Sequence, residues 1–231
     1  MFVPIGDDNP LKSIRFQYVT VALIIVNALV FLLQSATGSS DALSADFAVV
    51  PRELFQAGIF SAGDTAIAVG GLHIAEPITL VTYMFLHGDP MHLIGNLLFL
   101  WVFGDNVEDA LGHGRYLLFY LACGVAAGLL HAVVIPDSSD ALIGASGAVS
   151  GVIAAYLMLH PRVGVWVLAF KIIPLKITAA FVLGLWILTQ VIMVALPQVG
   201  LTAWWAHIGG LCAGAALVIV MRRRGVPLFA E

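Results

Sequence analysis

Charge is what this chain has least of: only 10% of its 231 residues are Asp, Glu, Lys or Arg, against roughly 25% in soluble globular domains. With 61% of residues hydrophobic and a mean hydropathy of +1.01, the composition excludes an ordinary soluble domain and makes this a membrane protein. The net charge of −4 carries little information, because the charges fall between apolar runs and their placement matters more than their sum. Cysteine is scarce too. Cys123 and Cys212 lie in apolar runs, where a thiol behaves as a small buried hydrophobe, so no disulfide framework is expected. No His-Glu-x-x-His occurs and no Cys/His set has ligand spacing, so neither a metal nor a cofactor is expected. A pair of intramembrane aspartates, the requirement for aspartyl chemistry, is also missing; Asp105 and Asp109 read as boundary charges at the inner end of a span. Internal repeats, low-complexity tracts and room for a second domain are absent.

What is present is a series of apolar runs. A transmembrane helix needs about 20 apolar residues to cross a hydrocarbon core of about 30 Å. Residues 1–16 read as a polar tail carrying Asp7, Asp8, Lys12 and Arg15, followed by an apolar run over 17–33. That run is longer than the roughly 7–15-residue core of a signal peptide and no small-residue cleavage site follows it, so it is read as the first span. The tail is neither Arg-rich nor free of acids, which argues against an organellar transit peptide. Residues 34–82 mix Gly, Ser and Pro with short apolar pieces. A loop of that length is usually functional or partly ordered, and short helices in or against the interface are expected in it. Further spans are expected over about 91–103 (extended by the flanking 82–86 or 104–106), 116–135, 146–160, 177–196 and 202–221, with 163–170 too short to cross and read as an interfacial loop. The expected fold class is an all-α polytopic membrane protein: six transmembrane helices in a compact bundle with a long, partly structured first outward loop. Its parts are an inner tail (1–16), a membrane domain (17–221) and a second inner tail (222–231).

Orientation follows from the basic residues. With the amino terminus inside and six spans, Lys12, Arg15, Arg115, Arg162, Lys171, Lys176, Arg222, Arg223 and Arg224 all fall inside, and only Arg52 falls outside. The first loop and the loops at 136–143 and 197–201 then face outward, and Ser146 opens the fourth span from that side.

Polar side chains within spans are costly and by default suggest function. At about 1.5 Å per residue, the 146–160 helix is about 22 Å long and puts Ser146 several ångströms below the outer surface if its inner end reaches the inner one. His207, about five residues into the sixth span, lies about 7–8 Å down from the same surface. His92 and Asn96, four apart on one face of the second span, fall in the same band. Small residues indicate which backbones approach: Gly147-x-x-x-Gly151 in the fourth span and Gly210-x-x-x-Gly214 in the sixth form the pattern of close helix packing, and Gly124-x-x-x-Gly128 repeats it in the third. A lone membrane serine more often packs or bonds back to its own helix than reacts, and a lone histidine is equally a strut. His87 reads as a brace of the first loop, His73, His113 and His160 as loop or boundary residues, and His131 as a buried strut. The coincidence of four polar groups at one depth leaves packing and catalysis both open.

The motifs Gly144-Ala145-Ser146-Gly147, His92-Leu93-Ile94-Gly95-Asn96 and Ala206-His207-Ile208-Gly209-Gly210-Leu211-Cys212-Ala213-Gly214 together resemble those of the rhomboid intramembrane serine proteases. The runs 85–88 and 103–109 also resemble many bacterial members, and the resemblance covers about 17–221. Two departures stand out. The Trp-Arg pair of the first loop in many members is replaced by Glu76-Pro77-Ile78-Thr79, and the aromatic one turn after the serine in some members is Ser150.

The resemblance implies a Ser146–His207 dyad, with the oxyanion held by the Ser146 backbone N–H, His92 and Asn96, and with Gly144, Gly147, Gly210 and Gly214 as the supporting motif. It implies a serine endopeptidase that cuts transmembrane segments of membrane proteins near the outer face of a bacterial inner (plasma) membrane, both termini being cytoplasmic. Substrate entry from the lipid side near spans two and five is implied as well. The partners expected are transmembrane protein substrates and the lipid bilayer, without nucleic acid. The alternative is a non-proteolytic relative that binds transmembrane helices. A small transporter is disfavoured, because its path would need ionisable groups at mid-membrane and the spans hold almost none.

Overall fold

The computed structural model of the protein describes residues 2–37, 46–56, 66–69, 72–169, 172–196 and 203–229. Its main elements are helices: α1 (Tyr18–Thr37), α2 (Pro51–Gln56), α3 (Glu76–Thr82), α4 (Pro90–Leu111), α5 (His113–Val134), α6 (Ser146–Leu159), α7 (Ala179–Ala195) and α8 (Trp204–Met221). Among the described residues three helices, α1, α5 and α8, are long and apolar enough to cross a membrane by themselves. The short α6 and α7 are apolar as well. The expected all-α class needs one correction: five strands are also described, β1 (Phe2–Asp7), β2 (Ala66–Val69), β3 (Leu72–Ala75), β4 (Gly164–Ala169) and β5 (Ile173–Thr178).

The strands overturn two readings. Gly164–Ala169, expected to be part of an interfacial loop, is the central strand of a three-stranded sheet ordered β1-β4-β5, and the polar tail supplies its β1 edge, pairing antiparallel from Phe2↔Ala169 to Asp7↔Val165. The physical reason is partnership at a distance: β1 has Pro4 and Gly6 within it and forms only because the β4–β5 hairpin offers a free ladder of backbone groups. Side chains fix the sheet to the bundle. The Tyr156 hydroxyl of α6 donates to the Asp7 carboxylate, and Asp8 pairs with Lys176 of β5 while accepting from Trp166 Nε1 at 3.2 Å. Burial raises the Asp7 carboxyl above the usual range, against the Tyr156 bond, whereas Lys176 holds that of Asp8 below it.

The helix ends gather on two faces. On one, Glu108 of α4 accepts the Val19 and Thr20 N–H groups at 2.9 and 2.8 Å and the Thr20 hydroxyl at 2.7 Å, so it caps α1 from another element. Such a carboxylate serves the orphan donors and the positive end of the helix dipole. Asp109, one residue on, accepts from the backbone N–H groups of Lys12, Ser13 and Ile14 at 3.0, 2.7 and 2.7 Å. Helix α4 thus runs to Leu111, past the expected end at 103–106, because Glu108 and Asp109 are consumed as caps rather than left as boundary charges. The same face holds the β1-β4-β5 sheet, the Gly112 turn into α5 and the Arg223 N–H, which donates to Ala110 at 2.9 Å. On the other face lie α2, α3 and the 135–145 connection, joined by a bridge between Val49 and Leu142 and by the Arg52 side chain donating to the Asp137 carbonyl at 2.7 Å. Part of the expected first loop, Lys171 and the loop expected at 197–201 lie outside the described residues.

In the core, α6 is nearly surrounded, and residues 147–156 are all buried. Its closest neighbour is α8. A Cβ on Gly210 would stand 1.9 Å from the Gly147 carbonyl oxygen, and one on Gly214 would stand 2.3 Å from that of Gly151. The two helices touch through their backbones, as the small-residue pattern predicts. Both cysteines are free, Cys123 buried against α6 and Cys212 exposed.

Candidate active site

Helix α6 begins at Ser146 because the residues before it are fixed from outside. Gly144 has φ of +116°, a conformation that side chains rarely adopt, and its N–H donates to the Tyr83 carbonyl at 2.9 Å. Tyr83 is anchored in turn by its hydroxyl, which donates to the Gly124 carbonyl of α5 at 2.7 Å. A Cβ on Gly144 would lie 2.6 Å from the His92 ring, so this glycine is also what lets His92 approach. Ala145 offers no side-chain cap, and the first intrahelical bond runs from Val149 N–H to Ala145. Donors at the head of α6 are thereby left for another acceptor.

His207 lies in the first turn of α8, 8% exposed, with Nε2 at 2.9 Å from Ser146 Oγ. Close packing of α6 on α8 produces this distance. His92 and Asn96 project from α4, whose start is set by Asp89, which accepts the Met91 and His92 N–H groups at 2.8 and 2.9 Å, and by Pro90 in the first turn. Asn96 is 7% exposed and its amide nitrogen has no hydrogen-bond partner. A pocket of about 200 Å³ opens here, lined by His92, Asn96, Phe99, Ser146, Val149 and Trp186 among others. The four polar residues singled out from depth alone, Ser146, His207, His92 and Asn96, meet around this pocket and its wall.

The other histidines stand apart. His87 is buried with its ring 5.1 Å from that of His92, and its backbone N–H donates to Gln34 of α1 at 3.2 Å; its ring nitrogens make no hydrogen bond to the described residues of the first loop. His131 is buried in α5, His113 bonds Glu108 at 2.5 Å, His160 packs its ring 5.4 Å from Tyr156, and His73 lies in β3. Among the described residues no group of three or more His, Cys, Asp or Glu is placed to hold a metal ion.

Two features were not legible beforehand. Ser150 has no contact of the aromatic kind with His207; it is buried, donates back to the Ser146 carbonyl at 2.6 Å, and its Cβ lies 3.2 Å from where a Gly210 side chain would begin. Aromatic rings come instead from Trp186 and Trp204, at 6.0 and 5.9 Å from the His207 ring. The second is Gln190 of α7, whose Oε1 stands 2.7 Å from His207 Nδ1. A single amide in an apolar helix gave no sequence signal of that contact.

Comparison with known proteins fits this arrangement. Residues 75–224 match the family model described as Rhomboid domain. Rhomboid-like protein 11, chloroplastic, of Arabidopsis thaliana is 30% identical over 155 residues, which cover 62% of this chain and 52% of that protein. Rhomboid-type serine protease 2 of Emericella nidulans is 32% identical over 145 residues, 61% of this chain and 26% of that protein. Rhomboid protease GluP of Bacillus subtilis is 42% identical over 78 residues, 34% of this chain and 15% of that protein. The chain thus spans about half the length, or less, of these curated relatives. With the Rhomboid domain covering well over half of its length, this membrane protein belongs to the rhomboid family.

Proposed function

We propose that the protein is an intramembrane serine endopeptidase working through Ser146 and His207. The observation that carries this reading is the 2.9 Å approach of His207 Nε2 to Ser146 Oγ beside a pocket at the head of an uncapped helix. Ser146 Oγ attacks the carbonyl carbon of a substrate peptide while Nε2 takes the hydroxyl proton. The tetrahedral oxyanion is met by the Ser146 N–H, the positive end of the α6 dipole, His92 and Asn96. Return of the proton to the departing amine breaks the peptide bond and leaves an acyl-enzyme. Water, activated by the same nitrogen, then releases the acid.

The substrates are transmembrane segments. Such a segment keeps its carbonyls bonded within its own helix, so cleavage requires local unwinding and favours small or helix-breaking residues near the outer face. In this reading α1, α4, α5, α6, α7 and α8 are the six spans, substrate enters between α4 and α7, and both termini are cytoplasmic. The clustering of inner basic residues supports that orientation. The membrane proposed is a bacterial plasma membrane; the relatives include both a Bacillus subtilis protease and a chloroplastic Arabidopsis thaliana protein.

The test is labelling of the purified protein by a fluorophosphonate probe, together with cleavage of a model transmembrane substrate. Both are expected for the wild type and lost in Ser146→Ala and His207→Ala. A folded wild type that neither labels nor cleaves would favour a protein that binds transmembrane helices without cutting them. Replacing the helix-breaking residues of the substrate by leucine is expected to slow cleavage, and equal rates would count against the unwinding requirement.

A further inference from the structure

The hydrogen bonds that lead from α7 to Ser146 have a direction, and it is set by groups that can act in only one way. The Trp186 carbonyl oxygen only accepts. It receives the Thr189 hydroxyl at 2.6 Å and the Gln190 amide nitrogen at 3.1 Å. The single Thr189 hydrogen is committed to that bond, so toward Gln190 the Thr189 oxygen accepts, again from Nε2 at 3.1 Å. Both contacts require the amide nitrogen of Gln190 to face its own helix. Turned over, the side chain would set its carbonyl oxygen against that of Trp186. The Gln190 carbonyl therefore points outward, 2.7 Å from His207 Nδ1.

Resting on the proteolytic reading above, we propose that Gln190 is a positioning residue for His207: its carbonyl takes the Nδ1 hydrogen and thereby leaves Nε2 bare toward Ser146. A carbonyl at that distance demands an N–H at Nδ1. A neutral imidazole carries one ring hydrogen, so Nε2 has the lone pair and accepts the Ser146 hydroxyl at 2.9 Å. The other tautomer would press two acceptors together where Gln190 is 4% and His207 8% exposed. Trp186, tilted 34° to the imidazole, and Trp204, at 90° to it, restrict the ring's rotation. In Ser-His-Asp sites a carboxylate selects the tautomer and also stabilises the imidazolium formed during reaction. An amide does the first through a directed hydrogen bond and offers only its dipole to the second.

The tautomer can be read directly by ¹⁵N NMR of histidine-labelled protein, with the His207 signals assigned by their loss in His207→Gln. Nδ1–H is expected in the wild type. Gln190→Leu, similar in size but without an acceptor, is expected to lose that preference and to lower kcat by about 10–100-fold with KM little changed. This loss reaches at most the lower end of the roughly 10²–10⁴-fold that a positioned general base contributes, as expected of a group that acts through that base. Gln190→Glu, which restores an acceptor, is expected to keep Nδ1–H and to recover kcat above the leucine variant. A folded Gln190→Leu with Nδ1–H and kcat unchanged overturns the proposal. If the leucine variant does not fold, loss of Nδ1–H in Gln190→Glu overturns it instead. The NMR outcome does not depend on turnover. A wild type that shows Nδ1–H but cuts nothing sinks the protease reading alone, and one that cuts normally without Nδ1–H sinks only the role of Gln190.

Discussion

Asn96 presents a buried amide nitrogen without a protein partner beside the pocket that receives Ser146, the condition of a donor waiting for a developing negative charge. Asn96→Ala is expected to lower kcat by about 10²–10³, or roughly 2.7–4 kcal/mol of transition-state stabilisation, as for the loss of one oxyanion donor. The thermal midpoint should change little, and unchanged turnover would remove Asn96 from the site. Glu76, at the start of α3, bears on stability instead. Burial, with Glu53 nearby, pushes its carboxyl up to about 7. The folded state holds this proton more tightly than the unfolded chain does, so the stabilisation is full below the ordinary carboxylate range and is lost as pH rises through about 7. Thermal unfolding in detergent should give a lower midpoint at pH 8 than at pH 5, and Glu76→Gln should flatten that difference. At this scale the sequence was informative where residue type and depth together were unusual, as for Ser146, His207, His92 and Asn96. Gln190 escaped because its meaning depends on the rotation of α7 against α8, which no local pattern encodes.

At the scale of elements, the contact between α6 and α8 carries the site. The Gly210 and Gly214 approaches are to backbone atoms, which cannot swing aside as a flexible side chain would. Gly210→Ala is therefore expected to separate the helices at the level of Ser146, costing roughly 1–3 kcal/mol as overpacking does. Fluorophosphonate labelling and the thermal midpoint should fall together. Gly184 of α7 is the matched control: a Cβ there meets nothing within 4 Å, and its alanine variant should be as stable as the wild type or more so by up to about 1 kcal/mol. The long helices were legible because each is an apolar run; Asp89-Pro90 adds a start signal before α4, whereas α5, α6, α7 and α8 begin without a side-chain cap. The β1-β4-β5 sheet was not. Its strands are six residues long, one is interrupted by Pro4 and Gly6, and β1 pairs with a partner more than 150 positions away, as Pro4 does with Val167.

Across the whole molecule, one face is closed by buried carboxylates and a sheet, the other by short helices and turns. Single cysteines introduced at Ser138 and at Arg224 in a cysteine-free background should test the orientation. A membrane-impermeant maleimide added to intact cells is expected to label Ser138→Cys only, and labelling of Arg224→Cys in the same cells would contradict an inner carboxyl terminus. Closure of the face that holds the sheet also has a consequence in time. The carboxylate that caps Thr20 belongs to Glu108, 88 residues later in the chain, and the partner of Pro4 in the sheet is Val167. At about 5–20 residues per second of synthesis, the first helix waits about 4–18 s for its cap and the amino-terminal strand about 8–33 s for its neighbour. During that interval residues 2–20 lack the partners that the finished fold gives them, so this segment should be more open to chaperones and proteases while synthesis continues than afterwards.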